Sequence, residues 1–411
     1  MLASCTAALA LVAHAQPLSL DEALCLAEQH SRQLSAQDSA ARAAREMAVA
    51  AGQRPDPTLG IGVNNLPIDG PDRFSVSRDF MTMRSLSLMQ QFTRGDKLKA
   101  RAARFEREAD TAEARRAAAL ASTRQGAAAT WLQLHWLQRL RELLAAQRDE
   151  ARLQIDAADA AWRGGRGAQA DVFAARSAVA RIEDQIAEVE RDVQAARILL
   201  ARWVGEDAAQ RPLAAPPATG TVHLDLTNAG AEWVHHPEIA VLAREEETAR
   251  AAAEMARSEQ RADWSAEVMV SQRGSAYSNM VSLNMTIPLQ FDRANRQQRE
   301  LAARLATVEQ MRAEREETTR MHIAEARAML LEWRNARERL RRYDESLAPL
   351  AAQRTQAALA AYRGGGMGTL SSVLEARRAE IDTAVERMRL EVIAARLWAQ
   401  LEYLVPHRRT E

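Results

Sequence analysis

The side chains in this sequence best suited to holding a ligand are sulfur and imidazole donors, and their spacing decides what they could hold. Met81, Met83 and Met89 lie in one short stretch. Thioether sulfur is a soft ligand suited to a monovalent copper or silver ion. The plainer reading, and the one expected here, is that all three are loop and lipid-facing side chains. His235 and His236 are adjacent, and neighbours in sequence do not share a helix face. No Cys/His cluster has zinc spacing, so neither a metal site nor a cofactor is expected. No nucleophile–base pair, phosphate loop or carboxylate dyad stands out from the helix charges, so no catalytic residue is assigned. Arg94-Gly95-Asp96 reads as a strand-to-helix turn.

What does stand out is repetition. Ala161-Trp162-Arg163-Gly164-Gly165 recurs as Ala361-Tyr362-Arg363-Gly364-Gly365. Downstream, Ile182, Ile186, Val189 and Val193 answer Ile381, Val385, Met388 and Val392 at an offset of 199. Upstream, Gln91-Phe92-Thr93-Arg94 answers Gln290-Phe291-Asp292-Arg293, and 20–30 answers 226–236 at an offset of 206. Solenoid repeats recur every 20–50 residues or so. A period near 200 is a duplicated half-protein, with 16–205 as the first copy, 206–226 as a linker and 227–405 as the second.

Composition says what each half is made of. Aromatics are 4% and charged residues 27%, and Ala, Glu, Gln, Arg and Leu dominate, the signature of long packed helices. Lys+Arg and Asp+Glu are both 55, so no net field favours nucleic acid. Interleaved charges read as solvated faces carrying i,i+4 pairs. Thr6 to Val12 is apolar and Ala13-His14-Ala15 is a small-x-small cleavage site, so 1–15 reads as the end of a secretory signal peptide whose basic start lies upstream. Leu2-Ala3-Ser4-Cys5 is rejected as a lipoprotein box, because the apolar run follows the cysteine. Cys25 then remains as the one thiol of the mature chain, expected to pack as a small apolar residue. No segment approaches 18 consecutive apolar residues, so any membrane span must be a β-barrel.

Each copy has the order helix, β-hairpin, very long helix, Gly-rich turn, long helix. The first helix is expected from about Ser19 to Gly52, stopped by Pro55-Asp56-Pro57. Hairpins are expected at about 57–92 and 264–291. In them Leu59, Ile61, Val63, Leu86 and Leu88 alternate with Gly, Ser and Asn, as do Val268, Val270, Val281, Leu283, Met285 and Ile287 with polar residues. A half-buried sheet of a soluble domain gives the same alternation. Three features point instead to a membrane: a polar face of Gly, Ser, Asn and Thr, runs of about 9–11 residues, and end aromatics Phe80, Phe92, Trp264 and Phe291. Unbroken helices are expected over 95–163 and 295–363, each on the order of 100 Å long. Val172, Val179, Ile182, Ile186, Val189 and Val193 then repeat at coiled-coil spacing.

Together these residues resemble the TolC family of outer-membrane efflux ducts, over essentially the whole mature chain. The likeness is carried by Leu18-Ser19-Leu20-Asp21-Glu22-Ala23-Leu24, by the strand after Pro55-Asp56-Pro57, and by the strand ending Gln90-Gln91-Phe92. The aromatic-x-Gly turns at Trp162 and Tyr362 complete it. Asp56-Pro57-x-Leu59-Gly60, Asn65-Leu66-Pro67 and Met81-Thr82-Met83-Arg84 look most like the heavy-metal branch. The resemblance implies a mainly α fold with a small β part. In it a homotrimer contributes four transmembrane strands per protomer to one outer-membrane barrel, and coiled-coil hairpins continue as an α-barrel across the periplasm. It implies a passive duct of a Gram-negative outer membrane. Its partners would be a periplasmic adaptor (membrane fusion protein) and an inner-membrane pump of the resistance-nodulation-division type, with heavy-metal cations as cargo. Multidrug or type I protein export would use the same duct, and a secreted coiled-coil spacer is the rival structural reading. Gly164, Gly165, Gly167, Gly364, Gly365, Gly366 and Gly368 would form adaptor-docking tips beyond their turn-making role. Asp171, Tyr362, Ser372 and Glu375 fall at the pore constriction, where Asp171 would bond Tyr362. Three Glu375 carboxylates would make a cation-favouring ring, against the plain reading of a solvated helix glutamate. Gly366-Met367-Gly368 replaces an arginine of the family pattern, and Ser372 replaces an acid.

Overall fold

Apolar residues at 3.6 spacing build long helices here, and period-2 stretches build one small sheet. The computed structural model describes residues 16–165, 167–223, 236–364 and 369–404. The signal segment 1–15, His235, Gly365, Gly366, Gly368 and the tail 406–411 lie outside the described residues. The chain forms two compact units that each draw on both sequence copies. One comprises Met1–Leu34, Ala117–His236 and Met321–Glu411, and the other Ser35–Arg116 and Pro237–Arg320.

The second unit holds the sheet: β1 (Thr58–Asn64), β2 (Met83–Phe92), β3 (Trp264–Gln272) and β4 (Met280–Thr286), all antiparallel in that spatial order. The two hairpins therefore share one sheet through β2 and β3. The strands have 7, 10, 9 and 7 residues, so two are shorter than the expected spanning length. β4 stops at Thr286, leaving out Ile287, because Pro288 follows and has no N–H for a ladder. Beside the sheet lie α2 (Arg32–Ala51), the first part of α3 (Gly95–Arg163), α6 (Pro237–Ser258) and the first part of α7 (Gln297–Arg342). Lys97, nearly buried, pairs with Glu259 at 3.1 Å and Asp263 at 3.1 Å, so the start of α3 is tied to the residues leading into β3. Glu246, also buried, pairs with Arg315 at 2.9 Å and with Arg250. The arginines hold its carboxyl below the usual range against the opposing effect of burial.

The other unit holds the main core. It contains α1 (Leu20–His30), the rest of α3, α4 (Gln169–Val204), α5 (Glu206–Ala209), the rest of α7, α8 (Ala348–Arg363) and α9 (Leu370–Glu402). Val172, Val179, Ile182, Ile186, Val189 and Val193 are all buried, as the coiled-coil spacing predicts. Trp131 is fully buried and its indole N–H donates to the Leu18 carbonyl at 3.1 Å. The described part of the expected linker, 206–223, is tied to the core: Leu18 bridges to Leu213, Arg211 clamps Glu22 through bonds of 2.6 and 3.0 Å, and Trp398 donates to the Thr221 carbonyl.

Four expectations need correction. The single helix over 19–52 is two, because Ser31 is extended and its hydroxyl accepts from the Leu34 N–H at 3.4 Å, starting α2 afresh. The unbroken helix over 295–363 is interrupted by a π-helical segment, Tyr343–Leu347, just before Pro349. A proline inside a helix lacks a donor and crowds the carbonyl four residues back, and a π-turn is one way to absorb that. Cys25 is exposed, with Gln29 Nε2 3.4 Å from its sulfur, because the buried stripe of α1 is Leu20, Ala23, Leu24 and Ala27. Met83 and Met89 do not share the aliphatic face of Leu86 and Leu88: the pleat puts them on the polar face of β2 with Ser85 and Ser87.

Candidate functional site

Two regions carry candidate function, one in each unit. In the sheet, register sorts side chains into two unlike faces. Leu59 pairs with Leu88, Ile61 with Leu86, Leu86 with Val270, Leu88 with Val268, Val268 with Leu283 and Val270 with Val281. This face is apolar and bare: Ile61 is 82% exposed and Leu283 78%. Leaving so much aliphatic surface in water costs about 25 cal/mol per Å², and contiguous apolar patches on a protein surface mark contact with another apolar phase or partner.

The opposite face carries Gly60, Gly62, Asn64, Ser85, Ser87, Ser271, Ser282 and Asn284. It is the more sheltered one, with Ser271 buried and Ser85 and Ser87 half-buried, as on the inside of a curl. Small residues allow this: a Cβ on Gly60 would meet the Ser87 hydroxyl at 2.6 Å. Asn64 donates to Ser85 Oγ at 3.0 Å, and Asn284 donates to the Glu267 carboxylate at 3.2 Å. At one end Phe92 stacks on Trp264, centroids 4.2 Å apart. Phe291, just past the sheet, is 90% exposed. β1 and β4 each have one edge without a strand partner among the described residues.

The turn region belongs to the other unit. α3 ends at Arg163, where the Gly164 N–H bonds Ala160 O at 3.0 Å, and Gly165 takes φ +70, the left-handed conformation glycine favours. The second turn begins the same way, with the Gly364 N–H bonded to Ala360 O at 2.9 Å. Gly167 lies against α3, where a Cβ would come within 3.2 Å of Ala161 Cβ. Asp171 is the third residue of α4, and its carboxylate accepts from the Ala168 N–H at 3.1 Å, capping its own helix. Ser372 is the third residue of α9, the matching place in the second copy. There the cap passes to Thr369, whose hydroxyl accepts from the Ser372 N–H at 3.2 Å. The acid of one copy and the serine of the other are thus two solutions to the same helix start.

Tyr362 is half-buried in a small cluster with Ala158 of α3, Val172 and Ala175 of α4, and Leu370 of α9. The fold brings its ring to the helix that carries Asp171, while the Asp171 carboxylate is engaged by its own helix start. Glu375 is exposed on α9 and lines a groove of about 240 Å³ with Gln154, Arg181, Arg377, Arg378 and Asp382. Nothing in the sequence singles out Arg377. Its side chain is 12% exposed and pairs with Glu380 at 2.8 Å and with Glu150 of α3. Glu150 lies 227 positions away, so only the fold reveals the pair.

Residues 23–206 match the family model described as outer membrane efflux protein. A search of curated proteins finds no match. Among solved structures, the chain is similar to a membrane protein from Pseudomonas aeruginosa, with TM-score 0.77 and 17% identity over 94% of this chain and 93% of that one. It is similar to the Campylobacter jejuni CmeC outer membrane channel, with TM-score 0.75 and 13% identity over 94% and 85%. It is also similar to the open state of the Neisseria gonorrhoeae MtrE outer membrane channel, with TM-score 0.67 and 15% identity over 94% and 88%. Residues 23–206 carry the outer membrane efflux protein pattern, and the chain has the TolC-like fold of outer-membrane channels.

Proposed function

We propose that this chain is the outer-membrane duct of a tripartite export assembly, in which three copies close one barrel in the outer membrane of a Gram-negative cell. The observation that carries the reading is the sheet. One face is continuous, exposed and apolar, the other is lined by Gly, Ser and Asn, and both edges are open among the described residues. Four strands with open edges cannot stand alone in hydrocarbon, where every backbone N–H and C=O needs a partner. Twelve strands from three chains remove the edges. A coiled-coil spacer has no use for such a face.

Cargo would enter from a periplasmic adaptor and an inner-membrane pump of the resistance-nodulation-division type, with Gly164, Gly165, Gly167, Gly364, Gly365, Gly366 and Gly368 at the docking tips. Asp171, Tyr362, Ser372 and Glu375 would line the constriction. The duct does no covalent chemistry: it offers a water-filled path, and selectivity comes from the groups that line it. The hairpin residues Asp56-Pro57, Asn65-Leu66-Pro67 and Met81-Thr82-Met83-Arg84 support heavy-metal cations as cargo.

Two measurements test this. The protein should partition with outer membranes and require detergent for release; recovery in the soluble fraction would remove the duct. Cells lacking the gene should retain more copper, silver, zinc, cobalt or cadmium after challenge, measured by elemental mass spectrometry and reversed on complementation. Unchanged metal in a membrane-inserted protein would shift the cargo to drugs, other small molecules or proteins.

A further inference from the structure

The polar face of the sheet carries methionine as well as serine, and packing does not account for it. Register sets Met89 opposite Glu267, Met269 opposite Ser87 and Ser282, and Met280 opposite Ser271. Each methionine is one strand across and two residues along from the next, so three thioethers step diagonally over β2, β3 and β4. Diagonal neighbours on one face lie about 7–8 Å apart, within reach of long side chains, and methionine has three side-chain torsions with which to close that gap. Met89 is 38% exposed and Met280 44%, while Met269 is half-buried.

The surroundings make the pattern pointed. Met285, on the other face, belongs to the apolar belt with Leu283 and Val281. Met89, Met269 and Met280 sit among Gly60, Gly62, Ser85, Ser87, Ser271 and Ser282, which offer no apolar partner to bury them. What these residues do offer is neutral, polarizable sulfur beside one carboxylate, Glu267, held by Asn284 at 3.2 Å. Thioethers prefer soft monovalent ions over zinc or cobalt, and unlike thiols they need lose no proton to bind.

We propose that Met89, Met269 and Met280 form a thioether track on the inner wall of the barrel that binds a soft monovalent metal cation, Ag⁺ or Cu⁺, in passage. This rests on the duct reading above, which makes the polar face the lumen. Three copies of the chain would present three such tracks. Several neighbouring donors of modest strength suit transit, since an ion must leave as readily as it enters.

The test is calorimetric titration of silver nitrate, in chloride-free buffer, into the purified detergent-solubilised protein. The comparison is with the triple variant Met89→Leu/Met269→Leu/Met280→Leu, in which leucine keeps the volume. Met47→Leu/Met321→Leu, altered at exposed helix positions outside the sheet, serves as control. Saturable silver binding is expected in wild type and control, weakened about tenfold or more in the triple variant, with zinc nitrate giving the same response in all three. Should the triple variant not fold, Met269→Leu alone should still weaken silver binding, since it is the middle donor. Equal silver affinity in wild type and leucine variants overturns the track, as does a wild type that takes up no silver. Neither result touches the duct, which stands or falls on membrane insertion.

Discussion

At the scale of single residues, the constriction candidates divide by what already occupies them. Asp171 spends its carboxylate on the Ala168 N–H, and Ser372 is bound to Thr369 through both its N–H and its hydroxyl, at 3.2 and 2.7 Å. Glu375 is exposed and has no such engagement among the described residues. It is the carboxylate from which a blocking ring could be built, although Arg377 and Arg378 share its groove. Glu375→Gln should raise the concentration of multivalent cation needed to block the channel in planar-bilayer recordings; unchanged block would leave Glu375 as a solvated helix residue. His236 offers a second prediction. It is 4% exposed and stacks on His322 at 4.9 Å, and His322 in turn approaches Glu325 at 3.3 Å. Burial, and then the neighbouring imidazole, push its pKa down from 6.5 to about 4. The unfolded chain therefore takes up this proton first, so the stability contribution is complete above pH 6.5 and is lost as pH falls towards 4. The loss is bounded at about 3 kcal/mol per protomer. Thermal unfolding at pH 7.5 and 4.5 should show a smaller acid loss for His236→Asn than for wild type.

At the scale of elements, the sequence is most readable where one periodicity runs unopposed. The valines and isoleucines of α4 announce a coiled-coil seam, and the alternation from Val281 to Met285 announces a strand, because each pattern has one burial requirement. The breaks were harder. Ser31 ends α1 through one hydroxyl-to-backbone bond, a choice that competes closely with continuing the helix. Pro349 marks a disturbance in the second long helix, yet nothing local says that it becomes a π-turn over Tyr343–Leu347. The polar face of the sheet was legible as polar, but its methionines become neighbours only through register between strands distant in sequence. Gly126 gives this scale its prediction. In mid-helix, glycine to alanine normally gains about 1 kcal/mol. Here a Cβ would fall 2.5 Å from the Trp203 ring, with further ring atoms at 3.0 and 3.2 Å, so Gly126→Ala should instead destabilise by about 1–3 kcal/mol. A lowered melting temperature checks it, and Gly126→Ala with Trp203→Leu should recover most of the loss.

At the scale of the molecule, the exposed aliphatic face is the feature on which the proposed outer-membrane insertion rests. Ile61 lies near the middle of β1 and is 82% exposed. Ile61→Arg places a charge in the apolar belt, and at mid-bilayer that costs about 2–4 kcal/mol. Less of this variant should reach the outer membrane, read by fractionation against Ser87→Arg on the opposite face, which should insert more nearly like wild type.

The junction between β2 and β3 has a kinetic consequence. Phe92 meets Trp264, and Arg84 meets Gln272, so the central ladder joins segments 172 to 188 residues apart. Closing so long a loop carries an entropic cost before any ladder bond repays it, and pairings this distant are slow to form. The helices, with their local contacts, can be complete while the strands are still searching. The sheet should therefore be the last part to mature, and until then its apolar strands are the segment most open to mispairing and aggregation.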